Sequence, residues 1–141
     1  MKAVIDASAA LKWQFKDEEA PDAAIALLGD FVEGKIELIT VTLFPYEILS
    51  ALNVAIKRGR INEAIGQKVL TYLTSLGIEE KVFDDLIGTT FKIARKHHLS
   101  TYDCAYIALA ENEACSFYTG DKKLFNAAKT HLPRVKWIGN Y

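Results

Sequence analysis

Four acidic residues stand out by the company they keep. Asp6 ends the β-branched run "KAVID", Glu47 follows Pro45 in "FPYEILSAL", Asp103 interrupts the otherwise apolar "STYDCAYIALA", and Asp121 follows "FYTG". Carboxylates brought together in a partly apolar setting repel one another and raise each other's pKa, unless a cation sits among them. For an all-oxygen donor set that cation is Mg²⁺ or Mn²⁺. Such a centre orients a water, helps it lose a proton and neutralises charge on a phosphoryl group, so hydrolysis of a phosphodiester needs no nucleophilic side chain.

Each acid also has an ordinary structural reading. Ser100-x-x-Asp103 fits a capping box, Glu47 in a first helical turn suits the helix dipole, Asp121 fits an N-cap and Asp6 an Asx turn. What argues for chemistry is the set. Asp103 shares a helical face with Ile107 and Ala110, so its carboxylate is expected to look into the protein more than into water. Ser8 and Thr119 are candidate supports, with hydroxyls placed to steady the acids or their waters.

The elements that must position these residues can be read from punctuation and periodicity. Strands are expected at "KAVID", "IELITV", "IEEKVF", "CSFYT" and "RVKWI". Helices are expected at "LKWQF", from Pro21 to Val32 with Gly34 as a stop, and from Pro45 to Lys57 with Gly59 beyond it. Further helices run from Asn62 to a stop at Gly77, from Asp84 to "ARKHHL", through the Asp103 segment, and over "KKLFNAAKTH". Strands alternating with helices over short connections predict an α/β sandwich around a mostly parallel sheet of about five strands. Ligands of such sheets lie where strand C-terminal ends meet helix N-termini, and all four acids fall on that edge.

The whole chain, residues 1–141, reads as one domain. It is half hydrophobic with three prolines, and it shows no repeat or linker. No apolar stretch is long enough for a bilayer, and "MKAVIDAS" lacks a signal-peptide layout, so a cytoplasmic protein with no membrane association is expected. Cys104 and Cys115, without metal-ligand spacing, are expected to be buried free thiols. The 17 basic and 18 acidic residues give −1, short of the positive field of a typical nucleic-acid binder. Reserving the four acids for cations would leave the remainder positive, so a phosphate substrate stays open. Lys12, Lys122 and Lys123 lie near the proposed edge, and Lys57, Arg58 and Arg60 would extend a phosphate track. His97 and His98 end a helix and have no partner spaced for a triad. The apolar helix from 48 to 56 has more hydrophobic surface than one face can bury.

In type, order and setting, Asp6 in "VIDAS", Glu47 in "PYEILSAL", Asp103 in "LSTYDCAYIALA" and Asp121 in "FYTGDKKL" resemble the acidic quartet of PIN-domain ribonucleases, the VapC-like toxins of toxin–antitoxin pairs in particular. The resemblance spans essentially the whole chain. It implies a three-layer α/β/α sandwich, Mg²⁺ or Mn²⁺ held by the four acids, hydrolysis of RNA, a homodimer and a small antitoxin partner. The rival readings are a receiver-like phosphoacceptor, which needs a paired acid after the first strand, and a dehalogenase-type phosphatase, which needs Asp where Ser8 stands. A third is a PIN-like module that binds RNA or protein without cutting.

Overall fold

A computed structural model describes residues 1–141 and contains a five-stranded sheet in the order β3-β2-β1-β4-β5. The strands are β1 (Lys2–Ile5), β2 (Glu37–Val41), β3 (Glu79–Lys81), β4 (Ser116–Thr119) and β5 (Val135–Trp137). Every pairing is parallel: Val4 faces Ile39 on one side and Phe117 on the other, Ile39 faces Glu79, and Phe117 faces Val135. The helices are α1 (Ala7–Leu11), α2 (Pro21–Val32), α3 (Phe44–Lys57), α4 (Glu63–Ser75), α5 (Ile87–His97), α6 (Thr101–Asn112) and α7 (Lys122–Ala128).

Parallel strands covered on both faces should be largely apolar, and β1 and β2 are, apart from Lys2 and Glu37 at their starts and Thr40, whose buried hydroxyl donates to the Ile5 carbonyl. Their alternate side chains feed two cores. Ala3, Ile5 and Leu38 join Leu11, Leu27, Ile48 and Leu73 from α1, α2, α3 and α4. Val4, Ile39, Val41 and Phe117 join Ile107, Leu109 and Leu124 from α6 and α7 on the opposite face. The result is the three-layer α/β/α sandwich. Helix α6 is buried continuously from Cys104 to Ala110, which a helix apolar all round requires, so only its first turn and last residues reach water.

The expected boundaries shift in three places. The helix after β1 is Ala7–Leu11, so of "LKWQF" only Leu11 is helical and the chain beyond it turns. Asp6 caps that helix from in front, its Oδ1 accepting the Ala9 N–H, so the helix begins earlier than the apolar spacing of Leu11, Trp13 and Phe15 suggests. Asp84 opens a single 3₁₀ turn ahead of α5, and α7 stops at Ala128, short of "KTH". Cys104 is buried as expected; Cys115 is only half-buried, and neither forms a disulfide.

The direction of chain progression across the sheet reverses beside β1. From there β2 and β3 extend one way, β4 and β5 the other. The crevice between the C-terminal ends of β1 and β4 is therefore the switch point where sheets of this kind receive ligands.

Candidate active site at the sheet's C-terminal edge

Each acid reaches that crevice from its own element. Asp6 leaves the end of β1 and is the N-cap of α1; Glu47 occupies the first turn of α3; Asp103 the first turn of α6; Asp121 is the N-cap of α7, just after β4. All four line one cleft of about 490 Å³, together with Ser8, Ser50, Val54, Arg58 and Arg60. The structure thus brings the predicted quartet to a common wall.

Asp6 is 6% exposed and the most tightly held. Its Oδ1 accepts the Ser8 hydroxyl at 2.7 Å and the Ala9 N–H at 2.8 Å, while its Oδ2 accepts the Thr119 hydroxyl. Thr119 in turn accepts the Asp121 N–H at 3.0 Å, and Ser8 accepts the Gly120 N–H at 2.9 Å. Ser8 and Thr119, the two supporting hydroxyls singled out in the sequence, therefore tie the end of β1 to the end of β4. Gly120 makes that tie sterically possible. A Cβ there would run into the Ser8 carbonyl and the Ala9 nitrogen, backbone atoms that cannot rotate away. Gly120→Ala is expected to destabilise the fold by roughly 1–3 kcal/mol, the usual cost of overpacking, as thermal melts would show.

The cap readings of the acids hold as well as the cleft reading. Asp121 accepts the Lys123 and Leu124 N–H groups, both on Oδ1, and its Oδ2 receives neither. At Asp103 the backbone N–H donates to Ser100 Oγ, at 3.1 Å, and the Ser100 side chain also pulls the carboxyl's pKa down against burial. The cap of α7 leaves Asp121 Oδ2 free of its N–H groups, whereas both Asp6 oxygens accept hydrogen bonds.

Sequence reasoning missed Tyr106. It is 1% exposed, stacks on Phe117 with ring centroids 5.6 Å apart, and donates its hydroxyl to Glu47 Oε2 at 2.6 Å. A tyrosine one helical turn beyond Asp103, in a segment otherwise without polar side chains, was the available signal, since a buried phenol needs a partner. Removing it as Tyr106→Phe is expected to cost about 1 kcal/mol in a denaturant titration and to push the Glu47 pKa further up.

The electrostatics record crowding. Burial raises the Asp6 carboxyl above its ordinary value, against the opposing pull of Thr119, Ser8 and the Ala9 amide. Burial raises Glu47, and the charges of Asp6 and Asp103 raise it further. Burial and then Asp121 raise Asp103. Each of these acids thus feels at least one other member or the same dry wall. The four acids share one cleft, although no three acidic, histidine or cysteine side chains in it already stand at metal-coordination spacing.

The donor set still suits a hard divalent cation. Its exposed atoms are carboxylate and hydroxyl oxygens, and the one thiol nearby, Cys104, is buried with its pKa pushed up to about 11 by burial and by Asp103, so it stays protonated.

A PIN-domain family model matches residues 3–130. The chain belongs to the PIN-domain family. Ribonuclease VapC3 of Pyrobaculum aerophilum is 32% identical over 126 residues, covering 88% of this PIN domain and 92% of the relative. Ribonuclease VapC9 of Mycobacterium tuberculosis is 29% identical over 130 residues, covering 92% and 94%. The crystal structure of PAE2754 from Pyrobaculum aerophilum superposes with a TM-score of 0.67 at 22% identity, over 90% of this chain and 79% of that one, which bears on the fold. No helix of the PIN domain is long and apolar enough to cross a membrane.

Proposed function

We propose that this PIN domain is a divalent-metal-dependent ribonuclease and the VapC-like toxin of a toxin–antitoxin pair, acting in the cytoplasm. The observation that carries the reading is the convergence of Asp6, Glu47, Asp103 and Asp121, from four elements, on one cleft at the switch point of the sheet. The ribonuclease relatives support it.

Asp6 and Asp103 are the principal ligands for Mg²⁺ or Mn²⁺, with Glu47 and Asp121 completing the set directly or through water. When bound, the cation supplies charge neutralisation at the phosphate and acidifies a water. The chain's own residues prepare that event. Ser8, Thr119 and the Ala9 amide orient the Asp6 carboxyl and oppose the rise in pKa that burial causes, and Tyr106 fixes the rotamer of Glu47. Arg58 and Arg60 on the cleft wall give the substrate phosphates a cationic border.

The test is purified protein and its Asp6→Asn variant incubated with a mixed RNA pool, with Mn²⁺ or with a chelator, followed by sequencing of the new ends. Ends that appear only with Mn²⁺ and only with Asp6 are expected. The rival, a binding module that does not cut, requires RNA association indifferent to metal and no new ends.

The homodimer is best placed on α5. Asp84, Ile87, Phe91 and Arg95 follow at helical spacing and are all exposed, Ile87 by 53% and Phe91 by 62%. Of these, Ile87 and Phe91 border, with Tyr46 and Tyr102, a groove of about 470 Å³. A second copy with α5 antiparallel sets Asp84 against Arg95 of the partner subunit, twice by symmetry, over the apolar middle. Phe91→Glu is expected to leave a monomer in light scattering where the native chain is dimeric. The small antitoxin is assigned to the cleft side, where Val54 of α3 remains exposed in the cleft with the acids.

A further inference from the structure

Between α1 and α2 the chain runs from Lys12 to Ala20 without a regular element. Within residues 16–20 a single backbone N–H, that of Glu18, bonds another backbone group, the Phe15 carbonyl at 3.3 Å. The segment ends on Ala20, whose φ of 59° is left-handed, a conformation that a residue with a Cβ adopts only at a cost. Little in its own backbone holds it in place.

Ion pairs hold it instead. Asp17 accepts from Arg60 at 2.8 Å, Glu18 from Arg60 at 3.3 Å and from Lys12 at 3.2 Å, and Glu19 from Lys122 at 2.9 Å. The three cations come from separate places: the end of α1, the connection after α3 and the start of α7. Arg60 lines the acidic cleft, while Lys12 and Lys122 directly follow Leu11 and Asp121, which also line it. Phe15 lies beneath the Arg60 guanidinium at 4.4 Å and Trp137 beneath the Lys122 ammonium at 4.6 Å, which fixes both heads. Lys12 is 5% exposed, a buried ammonium whose ion-pair partner is Glu18.

Three consecutive carboxylates in a run of turn and bend present negative charge to the three cations, as phosphates of a strand would. The Arg60–Asp17 and Lys122–Glu19 pairs are exposed, individually weak and screened by salt, so a polyanion can displace them, and Lys12 is covered only while Glu18 holds it.

We propose that Lys12, Arg60 and Lys122 are phosphate contacts for the RNA strand entering the cleft, and that Asp17, Glu18 and Glu19 occupy them as a surrogate until RNA takes their place. This rests on the ribonuclease reading. RNA binding then carries a cost, the release of the acidic strap, and freed carboxylates recapture counterions that the phosphates give up. The native salt dependence is accordingly shallower than three phosphate contacts would give alone.

The test uses fluorescence anisotropy of a labelled single-stranded RNA 12-mer on full-length Asp103→Asn protein, so that cutting does not intrude. Adding Asp17→Asn, Glu18→Gln and Glu19→Gln should tighten binding about tenfold at low salt and steepen the log–log salt slope by about 2, at roughly 0.7 per contact on a single strand. A charge-matched control, Glu33→Gln, Glu37→Gln and Glu79→Gln, removes one partner each from Lys35, Lys2 and Lys81, away from the cleft, and should gain far less. Further replacement Arg60→Gln in the strap variant should take back about 0.7 of the slope, one contact's share. Equal gains in strap and control variants, or a slope that Arg60→Gln leaves unchanged, would overturn the surrogate role while leaving the ribonuclease reading standing. No RNA binding by any of the proteins would overturn both.

Discussion

Asp103→Asn is expected to lower Mn²⁺-dependent RNA cleavage by about three orders of magnitude, roughly 4 kcal/mol of transition-state stabilisation, while the protein keeps its fold. The separation of the two effects comes from local geometry. The α6 cap depends on the Ser100 hydroxyl and the Asp103 backbone N–H, which asparagine retains. The carboxylate is half-buried and raised in pKa first by burial and then by Asp121. Neutralising it removes an unfavourable charge, so the chelated variant should melt no lower than the native chain. Asp6→Asn cannot make this distinction as cleanly, because the Asp6 carboxylate accepts from Ser8, Ala9 and Thr119. Unimpaired cutting by a folded Asp103→Asn protein would remove Asp103 from the chemistry.

The second large effect is linkage between pH, metal and stability. Asp6, Glu47 and Asp103 all have folded-state pKa values above the ordinary carboxylate range, with burial the leading cause. As pH rises from that range through the raised values, the unfolded chain has lost protons that the folded chain still holds, so these groups make unfolding progressively easier. Their stabilising contribution is complete below about pH 4 and is gone above the folded pKa values. A divalent cation binds the ionised acids, so it should restore most where the loss is greatest. At a hundredfold excess over its Kd the gain is about 2.7 kcal/mol, several degrees in Tm. Melts with Mn²⁺ and with chelator should therefore diverge at pH 7.5 and coincide at pH 4. Acids whose pKa values are lowered by ion pairs, such as Asp17 and Glu19, slope the other way, but they contribute equally to both melts and cancel in the difference. A Mn²⁺ effect of the same size at both pH values would place the cation elsewhere on the protein.

The quartet was legible because each acid stands at a grammatical position of an α/β fold, a strand end or a first helical turn, and parallel topology sends all such positions to one edge. Sequence offered cap or ligand as alternatives, whereas the structure shows Asp121 giving one oxygen to α7 and Asp103 giving its cap a backbone N–H. Tyr106 stayed hidden because its partner lies 59 residues away in sequence and its neighbours on α6 are apolar. The start of α1 was missed because side-chain spacing was weighed above the cap that Asp6 provides. Nothing in one dimension brings Lys12, Arg60 and Lys122 around Asp17, Glu18 and Glu19. Gly120 carried no distinguishing mark in sequence either; its necessity arises only where the chain crosses α1.

The two outer strands carry a consequence of their own. β3 and β5 are three residues each, and β3 is Glu79, Glu80 and Lys81 throughout. So short and so charged a border offers an incoming strand almost no ladder to join. Edge-to-edge pairing of the sheets of two copies is disfavoured at both rims, most at the charged β3.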